Sequence, residues 1–116
     1  MTILIAGEID FPPENRESAL AGAKPLIDMA LAEVGCRHYA WTSDPHVPGR
    51  VHVFEEWDSA AELQAHLEGA AYTGMLAHLS MATIISAVTR KYRCDLIEPV
   101  YGPDGAATAR FLSAGE

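Results

Sequence analysis

His66 and Tyr72 are the side chains of this sequence best suited to moving a proton. An imidazole titrates near ~6.5, so a histidine in a pocket can take a proton from a weak acid and return it at neutral pH. His66 follows Leu63 by three residues and precedes Leu67, which sets it near the edge of a helix's buried stripe. There it either lines a pocket or sits half-buried with a backbone carbonyl. The Tyr72 hydroxyl either donates to an oxyanion or stays wet while its ring packs. Trp57 stands at a corner between strand and helix and locks one to the other, and Trp41 shares a strand face with Tyr39, as a pocket wall or a subunit-contact patch. His38, His52 and His78 have no partner at ligand spacing such as H-x-x-x-H; His52 and His78 are reserve pocket candidates. Glu55 shares the Trp57 face, where a buried carboxylate calls for an arginine and a structural ion pair. Glu62 lies three residues after Ser59, as in a capping box.

The elements that must position these groups can be read in order. Thr2 to Ile9 reads as a strand with Ile3, Ile5 and Ile9 on one side and Gly7 interrupting them. Phe11-Pro12-Pro13 breaks it, and a helix is expected from Pro13 to about Glu33, kinked at Pro25 and ended by Gly35. Cys36 to Thr42 and Arg50 to Trp57 form a hairpin across the turn residues 43–49. The Ser59-capped helix carries His66, breaks at Gly69 and resumes from Ala70 to Met81. A long last strand is expected over Ile84 to Ile97, before Pro99. The order β-α-β-β-α-β predicts an α+β, ferredoxin-like fold with a four-stranded antiparallel sheet. Helices cover one face of such a sheet; the other, partly apolar here, predicts a sheet-on-sheet homodimer through the open face.

Composition narrows the classes. A chain of 116 residues with 49% hydrophobic and 21% charged residues builds one folded domain, with disorder expected only at its end. A net charge of -8 argues against nucleic acid or an anionic membrane as partner. Arg90-Lys91-Tyr92-Arg93 is a local exception, read as a solvated strand end whose charges divide between two faces. Cys36 and Cys94 read as reduced thiols of a cytoplasmic protein, and neither a signal peptide nor a spanning helix is expected. There is no Walker loop, no G-x-G-x-x-G and no metal-spaced cysteine set, so neither metal nor other cofactor is expected.

Three segments also resemble a known family. Glu33-Val34-Gly35-Cys36-Arg37-His38-Tyr39 reads E-x-G-C-x-x-Y, Glu55-Glu56-Trp57 reads E-x-W, and Leu63-Gln64-Ala65-His66 reads L-x-x-H. In that order and spacing they resemble the antibiotic biosynthesis monooxygenase family, over residues 1–98; the resemblance leaves out a tail at 99–116, which either packs on a partner subunit or frays. The resemblance implies a dimeric α+β barrel with a pocket between sheet and helices. It also implies oxidation of a phenol or hydroquinone to a quinone by molecular oxygen, without metal or flavin. In family members of that activity an Asn, a Trp and a Tyr line the site. The matching positions here are Glu62, His66 and Tyr72, and only the tyrosine agrees. An arginine of the last strand assists, for which Arg90 is the counterpart. The haem-degrading branch carries an Asn on the first strand, where this chain has Ala6 and Gly7.

The expected function is therefore a cofactor-independent monooxygenase acting on an aromatic small molecule. His66 would take the proton, Tyr72 and Arg90 would steady the oxyanion, and Trp57, Trp41, His52, His78 and Glu62 would line the pocket. The alternatives are a non-catalytic small-molecule-binding or regulatory dimer, and an isomerase or cyclase on the same barrel. An enclosed cavity reached by His66 and Tyr72 favours chemistry; a pocket filled by side chains favours a structural role.

Overall fold

The period-two alternation of the first segment becomes β1 (Thr2–Asp10), with Ile3, Ile5, Gly7 and Ile9 toward the helices, in a computed structural model that describes residues 1–115. Pro13–Asn15 form a single 3-10 turn closed by the Asn15 N–H donating to the Pro12 carbonyl. The helix therefore starts later than the sequence suggested, as α1 (Arg16–Leu31). Pro25 lies inside it without ending it. Gly35, at φ 81°, makes the left-handed turn into β2 (Cys36–Ser43), which pairs with β3 (Arg50–Trp57). Two helices meeting at Gly69 follow, α2 (Ala60–Leu67) and α3 (Ala70–Ser80), and then β4 (Ser86–Cys94). The last strand is shorter than the Ile84–Ile97 expected. Among the described residues β1 supplies its only ladder, from Thr2 opposite Cys94 to Asp10 opposite Ser86, and pairing ends where β1 ends.

The strands order β2-β3-β1-β4 and every pairing is antiparallel, which is the ferredoxin-like βαββαβ arrangement. Two buried clusters lie under the helices. One gathers Ile3, Ala30, Tyr39, Trp57, Leu63 and Ala71, the other Ile9, Phe11, Ala19, Val51 and Val53, and Trp41 packs against both. Helices α1 and α3 touch at Gly22, where a Cβ would come within 2.3 Å of the His78 ring. Gly7 serves close packing too, since a Cβ there would meet the Val88 carbonyl of β4 at 2.3 Å. Cys36 and Cys94 are free thiols on the two opposite edge strands.

Beyond β4 the chain folds back on itself. Tyr101 bridges to Ala107, Thr108 N–H donates to the Val100 carbonyl, and the Glu98 carboxylate accepts from the Leu112 and Ser113 N–H groups at 2.9 and 2.7 Å and from the Ser113 hydroxyl. Ile97, Val100, Tyr101, Phe111 and Leu112 remain exposed on this tail. The radius of gyration is 16.5 Å, against about 13 Å for a compact chain of this length, as expected of an arm held off the body. Among the described residues no helix is long and apolar enough to cross a membrane.

Candidate active site

The strand-to-helix corner works as its sequence implies. Ser59, in extended backbone, caps α2 by accepting the Glu62 N–H, and this first turn sets Leu63 and His66 toward the sheet. His66 is more deeply placed than a stripe-edge residue, at 2% exposure. Its ring lies 4.6 Å from the Trp57 ring centroid, 5.5 Å from Tyr39 and 5.8 Å from Tyr72, the tyrosines edge-on. Trp57 and Tyr39 are buried; Tyr72, just past the Gly69 corner, is only half-buried and forms the outer wall.

One polar contact orients this imidazole. Glu33, from the turn after α1, places Oε1 2.6 Å from His66 Nδ1 while keeping its carboxylate a quarter exposed. A carboxylate can only accept, so Nδ1 carries the hydrogen and Nε2 keeps its lone pair. Glu55 is buried on the same side, and its partner is the Trp57 indole, whose Nε1 donates to Oε1 at 3.0 Å. The arginine ion pair expected for Glu55 is thus replaced by a neutral donor. Burial pushes the Glu55 carboxyl above its usual range, against the indole hydrogen bond and the nearby His66. Burial together with Glu55 and Glu33 pushes the Cys36 thiol up to about 11, and burial with Glu55 also raises the Tyr39 phenol. The site is a buried aromatic cage in which the carboxyl groups of Glu33 and Glu55 stand beside one imidazole.

His66, Tyr72 and Trp57 are thus brought together, and Trp41 flanks them along β2, its Nε1 buried without a hydrogen-bond partner. Glu62 lies over Gly35, with a buried Oε2 that also lacks a partner. The other candidates lie elsewhere. Arg90 pairs opposite Ala6, on the open face of the sheet, so within one chain it cannot reach the His66 cage. His52 is on that open face, bound through Nε2 to Asp44 at 2.5 Å, in a cleft of 590 Å³ shared with Phe54, Val88, Arg90 and Tyr92. His78 donates toward the Ala19 carbonyl at 2.9 Å and joins α3 to α1. Glu33 and Tyr39 were missed as site residues. Both stand inside the E-x-G-C-x-x-Y segment, which was read for family and not for chemistry.

Five clefts of 350 to 590 Å³ open elsewhere, none of the five lined by His66 or Tyr72, and Trp57, Tyr39 and Tyr72 stand around the imidazole. Nor do three His, Cys, Asp or Glu side chains converge among the described residues as a metal site.

Comparison with known proteins adds three findings. Residues 2–77 match the family model described as antibiotic biosynthesis monooxygenase. An uncharacterised protein of Synechocystis, sll1783, is 29% identical over 66 residues, 57% of this chain and 45% of that relative, so the chain spans less than half the length of this curated relative. Among solved structures, a candidate antibiotic biosynthesis monooxygenase from Deinococcus radiodurans superposes with a TM-score of 0.78 at 18% identity, over 86% of this chain and 99% of the other. A conserved protein from Methanosarcina mazei gives 0.73 at 22% identity, over 80% and 92%. At such identities the likeness is one of fold.

Proposed function

This chain belongs to the antibiotic biosynthesis monooxygenase family, and from that premise we propose that it oxidises a phenolic or hydroquinone small molecule to a quinone with molecular oxygen, without metal or flavin. The observation that supports this reading is the Glu33–His66 pair inside an aromatic cage. Glu33 holds the Nδ1–H tautomer, His66 Nε2 takes the phenolic proton, and the two carboxylates nearby favour the imidazolium that forms. In a buried cage the phenolate is a strong electron donor. It gives one electron to oxygen, and the resulting superoxide joins the ring radical as a hydroperoxide. Loss of water then leaves the second carbonyl. With a phenol, one oxygen atom ends in the quinone and one in water, and the phenol supplies all the electrons; a hydroquinone already carries both oxygens and gives two electrons and two protons to oxygen, leaving quinone and hydrogen peroxide. Tyr72, the outer wall, must swing aside to admit the ring and can then donate to its oxygen.

Oxygen uptake by the chelator-treated protein against polycyclic phenols and hydroquinones tests this reading. We expect His66→Gln, which keeps much of the buried volume, to slow uptake by about a hundredfold or more with the fold intact by circular dichroism, the scale of a lost general base. Unchanged uptake removes His66 from the chemistry. The packed state of the cage favours a second reading, a dimer that binds an aromatic molecule without converting it. Saturable binding with no uptake on any substrate would select it.

The assembly we propose is a homodimer in which open sheet faces meet across a two-fold axis, covering Leu4, Phe54, Val88 and Tyr92, with residues 99–116 of each copy reaching over the other. Light scattering checks it: Phe54→Glu should halve the mass, and deletion of residues 99–116 should weaken the dimer.

A further inference from the structure

The basic run of β4 is not used by the proposed chemistry, and the structure divides it as the strand period demands. Arg90 faces the open side, whereas Lys91 and Arg93 pair opposite Ile5 and Ile3 and share the helix-facing side. There they form one wall of a cleft of 460 Å³, whose other wall is the α2 stripe Ala60, Leu63, Gln64 and Leu67 and whose floor is Ile3. His66 lies on the neighbouring flank of α2, with Leu63 between it and the cleft, so this is a separate place from the aromatic cage.

Acids outnumber Lys and Arg by 16 to 8, and four of the eight cations have found oxygens: Lys24 on Asp28, Arg37 on Asp58, Arg50 on Asp10, Arg16 on three backbone carbonyls. Among the described residues neither the Lys91 nor the Arg93 side chain makes an ion pair or a hydrogen bond, although both stand beside an apolar floor. Two free positive groups about 7 Å apart on one strand face can hold a carboxylate between them. The helix stripe below them is about 10 Å long, the length of two fused rings or a short acyl chain.

We propose that the cleft between α2 and β4 binds a small amphipathic organic anion. Its apolar body lies on Ile3, Leu63 and Leu67, and its charged group sits between Lys91 and Arg93. The proposal stands on cleft and charge, and holds whether or not His66 does chemistry.

A matched pair of fluorescent probes tests it on the full chain: 8-anilino-1-naphthalenesulfonate, and N-phenyl-1-naphthylamine, the same body without the sulfonate. The anion should bind about tenfold or more tighter than the neutral probe, and added salt should narrow the gap. The double variant Lys91→Gln/Arg93→Gln should bring the anion down to the neutral probe's affinity and leave the neutral probe alone. Leu67→Glu should weaken both probes, and Arg90→Gln, on the opposite face, should change neither. Circular dichroism and melting of each variant guard against dye binding to loosened protein. The proposal fails if the sulfonate brings no gain, or if Arg90→Gln removes that gain, which puts the anion on the open face. It fails too if the double variant alters the mass in light scattering and not the anion affinity, because the cations then serve a subunit contact.

Discussion

Strands β3 and β4 flank β1 and pair with it over nearly its whole length, yet one is walled in and the other is bare. β3 buries Val51, Val53, Glu55 and Trp57. β4 sets Ala87, Thr89, Lys91 and Arg93 at the matching positions and leaves all but Cys94 exposed. Hydrogen-bond ladders therefore make a strand without making a core. What differs is the side chain offered to the helices, and α1, α2 and α3 pack where it is apolar. A carboxylate and an imidazole can be held dry beside β3, whereas β4 is left to meet solvent, a ligand or a second copy.

The contrast should be largest in stability. Trp57→Ala should cost about 3–5 kcal/mol in urea unfolding, as for a large aromatic removed from a filled core. Val88→Ala, at 54% exposure, should stay within about 0.5 kcal/mol in the isolated chain. Equal losses would mean that the two strands are not differently supported.

Next in size is the tautomer. Glu33→Gln should slow oxygen uptake by about tenfold, because the amide no longer pins Nδ1–H. Nitrogen-15 shifts of the His66 ring should pass from one tautomer to a mixture, a change that mere loss of packing would not produce.

A smaller effect concerns Glu55. Its folded carboxyl is raised, so its stabilising protonated form is complete below the unfolded value and is lost as pH rises through the folded one. Glu55→Gln mimics the protonated acid and still accepts from Trp57. The variant should out-melt the parent at pH 7 and lose that advantage below about pH 4. A constant difference across pH would show that Glu55 ionises freely.

Smallest is a matter of rate. With the Cys36 thiol at about 11, only about a thousandth is thiolate at pH 8, so Cys94→Ser protein should alkylate slowly. Rapid labelling of Cys36 would mean that the walled region opens often.

Much of this arrangement was legible in the sequence, for reasons that also explain the gaps. Local signals were reliable: Ser59 before Glu62 gave the cap, Gly69 the corner, and alternation in Val51–Trp57 the strand whose face carries the core. Parity misled at Arg90. Strand period alone separates it from Lys91 and Arg93, but only the register against β1 tells which of them faces the helices. Glu33 was invisible as a partner of His66 because the contact spans 33 residues and is made by folding α1 onto α2. Glu55 was read as needing a cation because sequence cannot show an indole N–H two residues away turned back toward its carboxylate.

The carboxylate of Glu98, gathering two N–H groups and a hydroxyl from residues 112–113, gives the tail a shape before it touches anything. A segment already folded gives up little conformational freedom on docking, so whatever it binds is held with less entropic loss than a loose chain would suffer. The same bonds hold the Glu98 carboxyl below its usual range, so the stabilisation is complete above the ordinary glutamate value and fades as acid protonates the group. Only acid below the ordinary glutamate value should therefore turn the rigid hook into a slack tether.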